Sequence, residues 1–520
     1  MTKATNKAPA LDWTVFLLSG GILVAFVLIA FLNLDSVSAA VNAGFTFSTR
    51  YFGAFWQFLL FANFAVSIGL AVSRYGSLRL GGEKPEMSTF RWISIFMCTV
   101  LAAGGVFWCF AEPMYHFTSV PPNFTGITSG TSAAVAPALA QSFHHWGFLP
   151  WAICGTLATI VLMYLHYHRG LPLKPRSLLY PIWGDRFNDS IVGSIVDAVC
   201  IIGVAAGTIG PIGFLGLQLS YSLQHTIGLP DVYGTQLAII AILVVIYTLS
   251  TVSGIEKGIQ LLSTLNVAIC IVVFVFLIMF GPGSFIVDSF FSGFGVYLNN
   301  FLTLSFNRSD PAWLSSWTVF FWGWFLGYGP MTAMFVARIS RGRTIREIVL
   351  AEAVIAPLVT NVWFGALGGS SIFYELQNPG SISTALKEGG LPAVMLATVR
   401  LYPLATILVP VFIGLVVISL VAGGDSISFT MAMATTGEDT PPTWLRAFWG
   451  IMMGAVAAIL LQMGAGGISA LQSFIVVSAV PVSLVLLPLL VVAPRIVKEL
   501  AAEKEIRGQA YSSPNFRREN

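Results

Sequence analysis

Charge is what this chain has least of. Only 9% of its 520 residues are Asp, Glu, Lys or Arg, where a soluble domain carries roughly 25%. So few charges cannot cover a surface facing water. The net charge of +3 leaves no basic excess for nucleic acid. Cysteine is scarce too. Cys98, Cys109, Cys154, Cys200 and Cys270 fall inside apolar stretches, with no CxxC spacing and no disulfide framework. There is no phosphate-binding loop and no nucleophile-elbow spacing. No cluster of histidines or carboxylates marks one interface, as an enzyme of lipid-like substrates requires. These absences argue against an enzyme and against any cofactor or metal. The first apolar run is too long for a signal peptide and lacks the usual cleavage site, so it reads as a first membrane helix.

What is present is apolar: 56% of the chain is hydrophobic. A helix crossing a ~30 Å hydrocarbon core needs about 20 such residues. Twelve spans are predicted, near 13–33, 51–73, 91–117, 143–165, 191–224, 235–253, 258–281, 317–337, 346–373, 400–432, 444–463 and 469–493. Alternate loops are basic: Arg74, Arg79, Lys84 and Arg91; then Arg169, Lys174, Arg176 and Arg186; then Arg338 to Arg346. Residues 118–142, between two spans, carry no charge. The positive-inside rule then places both termini in the cytoplasm. Residues 285–305 are apolar but carry Asp288, Ser289, Ser292, Asn299 and Asn300. They read as an amphipathic helix on the outer surface.

Two spans contain helix-weakening clusters. Span 3 has Gly104 and Gly105, and span 8 has Gly327, Gly329 and Pro330. Glycine loosens a helix, and proline removes an N–H. In lipid the freed carbonyls must face protein or a cavity. The two clusters lie five spans apart from one start to the next, the pattern of an inverted-repeat transporter with its substrate held between two broken helices. Glycines are also common in membrane helices simply because they let neighbours pack closely. The expected division is an N-terminal tail (1–12), spans 1–2 (13–90), a first repeat (91–284) and the outer amphipathic helix (285–316). A second repeat (317–495) and a short cytoplasmic tail (496–520) follow.

Span 8 is also packed with aromatics, and Trp324, Phe325 and Tyr328 share one stripe at i, i+3, i+4 spacing. An aromatic face attracts an ammonium without carrying charge, worth ~2 kcal/mol or more per ring once desolvated. Tryptophans also populate membrane interfaces, the reading for Trp13, Trp183 and Trp444.

The chain resembles the betaine/choline/carnitine transporter family. The motifs are Trp317-Thr318 through Trp322-Gly323-Trp324, Ala337-Arg338-Ile339-Ser340-Arg341-Gly342-Arg343, and His145-Trp146-Gly147-Phe148-Leu149-Pro150-Trp151, with Glu112-Pro113 and Lys257-Gly258. They recur in the family's order between about Trp13 and Arg495. The resemblance implies an all-α membrane fold with a LeuT-like inverted five-helix repeat in helices 3–12. It implies a multi-pass protein of the bacterial inner membrane, a homotrimer, and lipid and a small quaternary-ammonium or sulfonium compound as partners. It implies an aromatic box at Trp146, Trp151, Cys154 and Phe325, with Trp324 and Tyr328 along the pathway. Tyr115 matches a further substrate contact of the carnitine/butyrobetaine members. Where the best-known betaine member has a tyrosine this chain has Cys154, and where it has a tryptophan this chain has Phe325, so the box is thinner.

Glu112, Asp197, Glu352 and Asp425 lie within the predicted spans. Intramembrane carboxylates default to functional hypotheses, and Glu112 and Asp425 are the candidates for ion coupling. Asp197 suits a cap. His144 and His145 suit a polar interface better than a relay. Sodium-driven members place Thr-Ser where this chain has Ala422-Gly423. Their glycine-rich run on span 3 is Val100-Leu101-Ala102-Ala103-Gly104 here. Of a second proposed sodium site Thr208 is kept, but Val204 and Met331 replace a threonine and an aromatic. The arginine of the sodium-free exchangers is Asn266. The resemblance therefore implies sodium-independent uptake, driven by protons or by the membrane potential. The substrate stays open among choline, glycine betaine, carnitine and sulfonium analogues such as dimethylsulfoniopropionate. Substrate/product exchange also stays open, and a channel or osmosensor is the rival class.

Overall fold

The structure, a computed structural model, describes residues 11–252, 256–438, 440–463 and 468–512. The side chains of 98–104, 251–263 and 506–512 lie outside that description. Most of the expected N-terminal tail and the last residues of the C-terminal tail therefore fall outside it. Among the described residues the chain is helical, with one isolated β-bridge between Arg79 and Thr344.

The first apolar segment, Trp13–Leu32, ends in helix α1 (Ile22–Leu32). The order continues α2 (Leu34–Val72), α3 (Thr89–Thr118), α4 (Val135–His145), α5 (Phe148–Arg169), α6 (Ile191–Ile227), α7 (Tyr233–Val252) and α8 (Glu256–Phe280). Then come α9 (Gly283–Asn299), α10 (Thr318–Ile339), α11 (Ile345–Leu350), a π-helical turn (Ala351–Ile355) and α12 (Ala356–Gln377). The last are α13 (Ala405–Thr436), α14 (Thr443–Gln462), α15 (Ile468–Leu486) and α16 (Leu489–Ser512). Among the described residues, ten helical segments are long and apolar enough to cross a membrane, or eleven if α8 and α9 are one bent span. The chain is thus an all-helical multi-pass membrane protein of about ten to eleven candidate spans, against the twelve expected.

Several expectations are corrected in detail. The helix expected to start near residue 143 starts earlier, because α4 begins at Val135 and is buried. α4 ends at His145, and Trp146-Gly147 forms a break before α5. Only glycine fits there: a Cβ on Gly147 would strike the Phe143 carbonyl and come within 2.5 Å of the Tyr297 hydroxyl. The expected interruptions at Gly104, Gly105, Gly327, Gly329 and Pro330 are not gaps, since α3 and α10 run through them. Close packing explains the span-8 glycines. A Cβ on Gly327 would sit 3.1 Å from the Gly203 carbonyl on α6, and one on Gly329 would sit 3.2 Å from the Ile153 carbonyl on α5. Pro330 still leaves the carbonyl four residues earlier without its helical donor. Gly105 lines an apolar cavity of about 430 Å³ beside Met97, Asn266, Trp363 and Ser419.

α9 turns 108° away from α8 at Gly281-Pro282. The proline and the dense aromatic face of α9 against α4 explain the turn, with the Phe143 and Phe290 rings 5.6 Å apart and tilted by 57°. Helix packing crosses between the two halves: α10 packs on α5 and α6, and α3 packs on α12 and α13.

The basic segments meet one another. Arg341 donates to the Gly81 carbonyl at 2.8 Å, Arg346 to the Ala71 carbonyl at 2.8 Å, and Lys504 to the Arg79 carbonyl at 3.1 Å. Arg169 pairs with Glu503 at 2.7 Å. Helix α16 is thus docked on these basic segments.

Candidate functional site

α5 and α10 are the most closely associated helices, and their facing stripes build the site. On α5, Trp151, Cys154 and Gly155 share one face at i, i+3, i+4. On α10, Trp324, Phe325 and Tyr328 do the same. Trp146, at the break between α4 and α5, projects between them. Its ring meets Trp324 at 5.7 Å and 75°, and Phe325 at 5.6 Å and 81°. Trp151 meets Phe325 at 6.1 Å. Edge-to-face contact is a favoured geometry for packed aromatic rings. All four are buried, with 6% exposure at most, so the rings close on one another in this conformation.

Three of the site's rings, those of Trp146, Trp324 and Tyr328, are held by hydrogen bonds to other helices. The Trp146 indole N–H donates to Glu112 on α3 at 2.8 Å. The Trp324 indole N–H donates to the Gly207 carbonyl on α6 at 2.8 Å. The Tyr328 hydroxyl lies 3.1 Å from Thr208 Oγ1, also on α6. Gly207 is what allows this approach, since a Cβ there would overlap the Tyr328 ring and lie 3.3 Å from Trp324.

Two expected residues stand apart. The Tyr115 ring meets Trp317 at 4.5 Å and His116 at 5.9 Å, and reaches the cluster through intervening rings such as Trp317 and Phe321. Asp425 on α13 accepts a hydrogen bond from Ser250 on α7 at 2.8 Å. Cys154 is buried on the face it shares with Trp151.

Sequence reading missed how Glu112 is held. His145 Nδ1 lies 2.5 Å from Glu112 Oε1, and His116 Nε2 lies 3.4 Å from the same oxygen. His145 Nε2 in turn lies 2.9 Å from Gln141 Nε2 and 2.9 Å from Thr318 Oγ1. An amide nitrogen can only donate, so Nε2 accepts, and Nδ1–H donates to Glu112. Histidines and a carboxylate therefore do cluster, contrary to expectation. The available signal was Glu112 and His116 at i, i+4 on one helical face. Their donor atoms lie within 4.8 Å of one another with His145, a set able to hold a divalent ion. Here the close Glu112–His145 contact is a hydrogen bond, and Trp146 occupies the other carboxylate oxygen.

A second buried ion pair fixes the N-terminal end. Arg176 Nε pairs with Asp197 at 2.6 Å, and its other nitrogen reaches Asp12 at 2.8 Å. Asp197 also accepts the Arg176 backbone N–H at 2.7 Å, so it anchors a loop and is not the cap of its own helix. Burial pushes the Asp12 carboxyl up, but the Val15 N–H, Lys174 and Arg176 together hold it below the usual carboxylate range.

The sequence model of the betaine/carnitine/choline family transporter matches residues 14–503. The chain belongs to this family. It is therefore a transporter and not an enzyme. "Glycine betaine transporter 2" of Vibrio parahaemolyticus is 52% identical over 491 residues, covering 94% of this chain and 91% of that protein. "Probable glycine betaine transporter" of Desulfitobacterium hafniense is 34% identical, covering 91% and 95%. "Ectoine/hydroxyectoine transporter" of Virgibacillus pantothenticus is 30% identical, covering 94% and 96%.

Proposed function

We propose that the chain is a secondary active transporter that takes up a quaternary-ammonium compound, glycine betaine first among choline, carnitine and sulfonium analogues. The convergence of Trp146, Trp151, Trp324 and Phe325 carries this reading. A quaternary ammonium has no N–H to donate, so charge, dispersion and cation–π contact are all that can hold it. Tyr328 and Cys154 border the same faces, and Tyr115 with Trp317 lines the approach. The 52% identical glycine betaine transporter favours that substrate within the class.

Alternating access is proposed to rest on an inverted repeat, α3–α8 against α10–α15. Its support is reciprocal packing: the first helix of each half lies on the second and third of the other. The membrane is taken as the bacterial inner membrane with both termini cytoplasmic. The gathering of Arg79, Arg169, Arg341, Arg346 and Lys504 at one end supports that orientation. The twelve-span count requires α3 to cross as well. A homotrimer is the proposed assembly, on family resemblance alone.

Uptake is proposed to be sodium-independent and proton-linked. The membrane potential alone, ~2.3 kcal/mol per 100 mV for one charge, accumulates a cation such as choline but not a zwitterion. Glu112 and Asp425 are buried carboxylates that could carry the proton.

Competition for labelled glycine betaine uptake by choline, carnitine, dimethylsulfoniopropionate and ectoine tests the substrate. It is measured in proteoliposomes without sodium, at two pH values. Saturable uptake blocked by methylated cations supports the reading. Uptake blocked by ectoine alone overturns it.

A further inference from the structure

Glu352 is fully buried, and neither of its carboxylate oxygens meets a hydrogen-bond partner among the described residues. The other intramembrane acids named so far differ. Glu112, Asp197 and Asp425 each accept bonds from named donors. Glu352 sits in the π-helical turn Ala351–Ile355 between α11 and α12. Such a turn inserts a residue and re-aims the side chains that follow, and these turns recur at functional sites.

The carboxylate is aimed at α5. A Cβ on Gly155 would lie 2.9 Å from Glu352 Oε2, so only a hydrogen there admits it. Gly155 follows Cys154 and lies one helical turn from Trp151, on the face that carries the aromatic box. Thr159, a turn further on, has a buried hydroxyl that also lacks a partner among the described residues.

The elements packed on the π turn are α2, α5, α11 and α12. From α5 the titratable neighbour is Cys154. On α11, Arg346 is committed to the Ala71 carbonyl and Glu347 to Thr344 and Arg343. On α12, Tyr374 and Glu375 lie at the far end. On α2, Asp35, Arg50 and Tyr51 lie in the first half, and the nearer Asn63 and Ser67 are uncharged and face Thr156. Among the described residues no cation pairs with or donates to the Glu352 carboxylate, and Arg169 at the end of α5 is committed to Glu503. An unpaired buried carboxylate is costly enough that the group takes up a proton instead.

We propose that Glu352 is the proton-binding carboxylate of the transport cycle. The inference rests on the proton-linked reading above. The protonated acid is the form this packed state holds. Movement of the π turn away from Gly155 admits water, and the acid then releases H⁺ to it, leaving a carboxylate that must be reprotonated before α5 and the turn close again.

The test uses the full chain in proteoliposomes with the potential clamped at zero and one pH unit imposed, alkaline inside. One proton per substrate then accumulates glycine betaine ~tenfold in the wild-type protein. Glu352→Gln should bring that ratio to ~1 and remove the pH dependence of kcat, while glycine betaine still quenches tryptophan fluorescence and counterflow persists. Glu352→Asp keeps an acid one methylene shorter and should restore accumulation with a displaced pH midpoint. Tenfold accumulation by Glu352→Gln overturns the proposal and leaves proton-linked transport standing. Should Glu352→Gln not insert, Glu352→Asp decides: a midpoint identical to the wild type overturns the proposal. Wild-type counterflow without any proton-driven accumulation overturns the proton-linked reading itself.

Discussion

Glu112 and Trp146 are joined by a 2.8 Å hydrogen bond across thirty-four residues of sequence, linking α3 to the break between α4 and α5. This bond sets the plane of the indole that meets Trp324 and Phe325. Its second oxygen is held by His145, so Glu112 is itself oriented.

Truncating Glu112 should therefore weaken binding without removing any box residue. Glu112→Ala leaves the Trp146 N–H and His145 N–H buried without acceptors, at ~1–3 kcal/mol each. Glycine betaine affinity should fall about tenfold or more. Glu112→Gln keeps one acceptor and should lose less. Fluorescence titration measures both, and a wild-type Kd in Glu112→Ala would show that Trp146 holds its position alone.

Trp324 offers the direct test of the aromatic box. Trp324→Ala should cost ~2 kcal/mol, roughly thirtyfold in affinity, and nearly abolish uptake while the protein still inserts. Trp324→Phe loses the bond to Gly207 but keeps a π face, so it should transport better than Trp324→Leu. Equal uptake by the Phe and Leu variants would argue against cation–π binding.

Gly207→Ala probes the same contact from α6. The added methyl overlaps the Tyr328 ring and comes within 3.3 Å of the Trp324 ring. Tyr328 must swing away from Thr208, and uptake should fall at least as far as in Tyr328→Phe. Retention of full uptake would mean that α6 and α10 separate freely at this level.

Acid should act on the Asp12–Arg176 pair in a defined window. Asp12 is held below its ordinary value of 3.8 by the Val15 N–H, Lys174 and Arg176, against the upward pull of burial. A depressed carboxyl stabilises the fold above its unfolded pKa, and that contribution is lost as pH falls through the folded pKa. The melting-temperature gap between wild type and Asp12→Asn should hold steady above about pH 5 and close toward pH 3. A gap independent of pH would show the pair contributes nothing.

The aromatic face of α10 was legible because helical spacing is local: Trp324, Phe325 and Tyr328 need no tertiary knowledge. The basic loops were legible because topology is written in charge. The Glu112–His145–Gln141–Thr318 network was not, since it depends on how α3, α4 and α10 approach in space. The glycines of α10 were misjudged because one residue type serves both helix breaking and close packing. Only the neighbouring Gly203 carbonyl distinguishes the two. Glu352 was noticed as an intramembrane acid, but its isolation appears only when the surrounding helices are in place.

Sodium dependence is the prediction in which sequence and structure bear on the same atoms. A sodium ion needs several hard oxygen ligands, commonly hydroxyls and backbone carbonyls. At Ala422-Gly423 there is no hydroxyl, and both residues are buried in an unbroken helix whose carbonyls bond along the axis. Thr208, the one threonine retained from the second proposed sodium site, already donates to the Val204 carbonyl at 2.9 Å, and its oxygen lies 3.1 Å from Tyr328 Oη. Met331 is fully buried and offers only a thioether, a poor ligand for a hard cation. Replacing sodium by potassium at fixed pH and potential should leave the initial rate of glycine betaine uptake unchanged within about twofold, since no tenfold ion-binding energy is at stake. Thr208→Ala should lower uptake through Tyr328 without creating any cation dependence. A steep, saturable rise of the rate with sodium would overturn this and place the coupling ion on oxygens freed when α6 and α10 part.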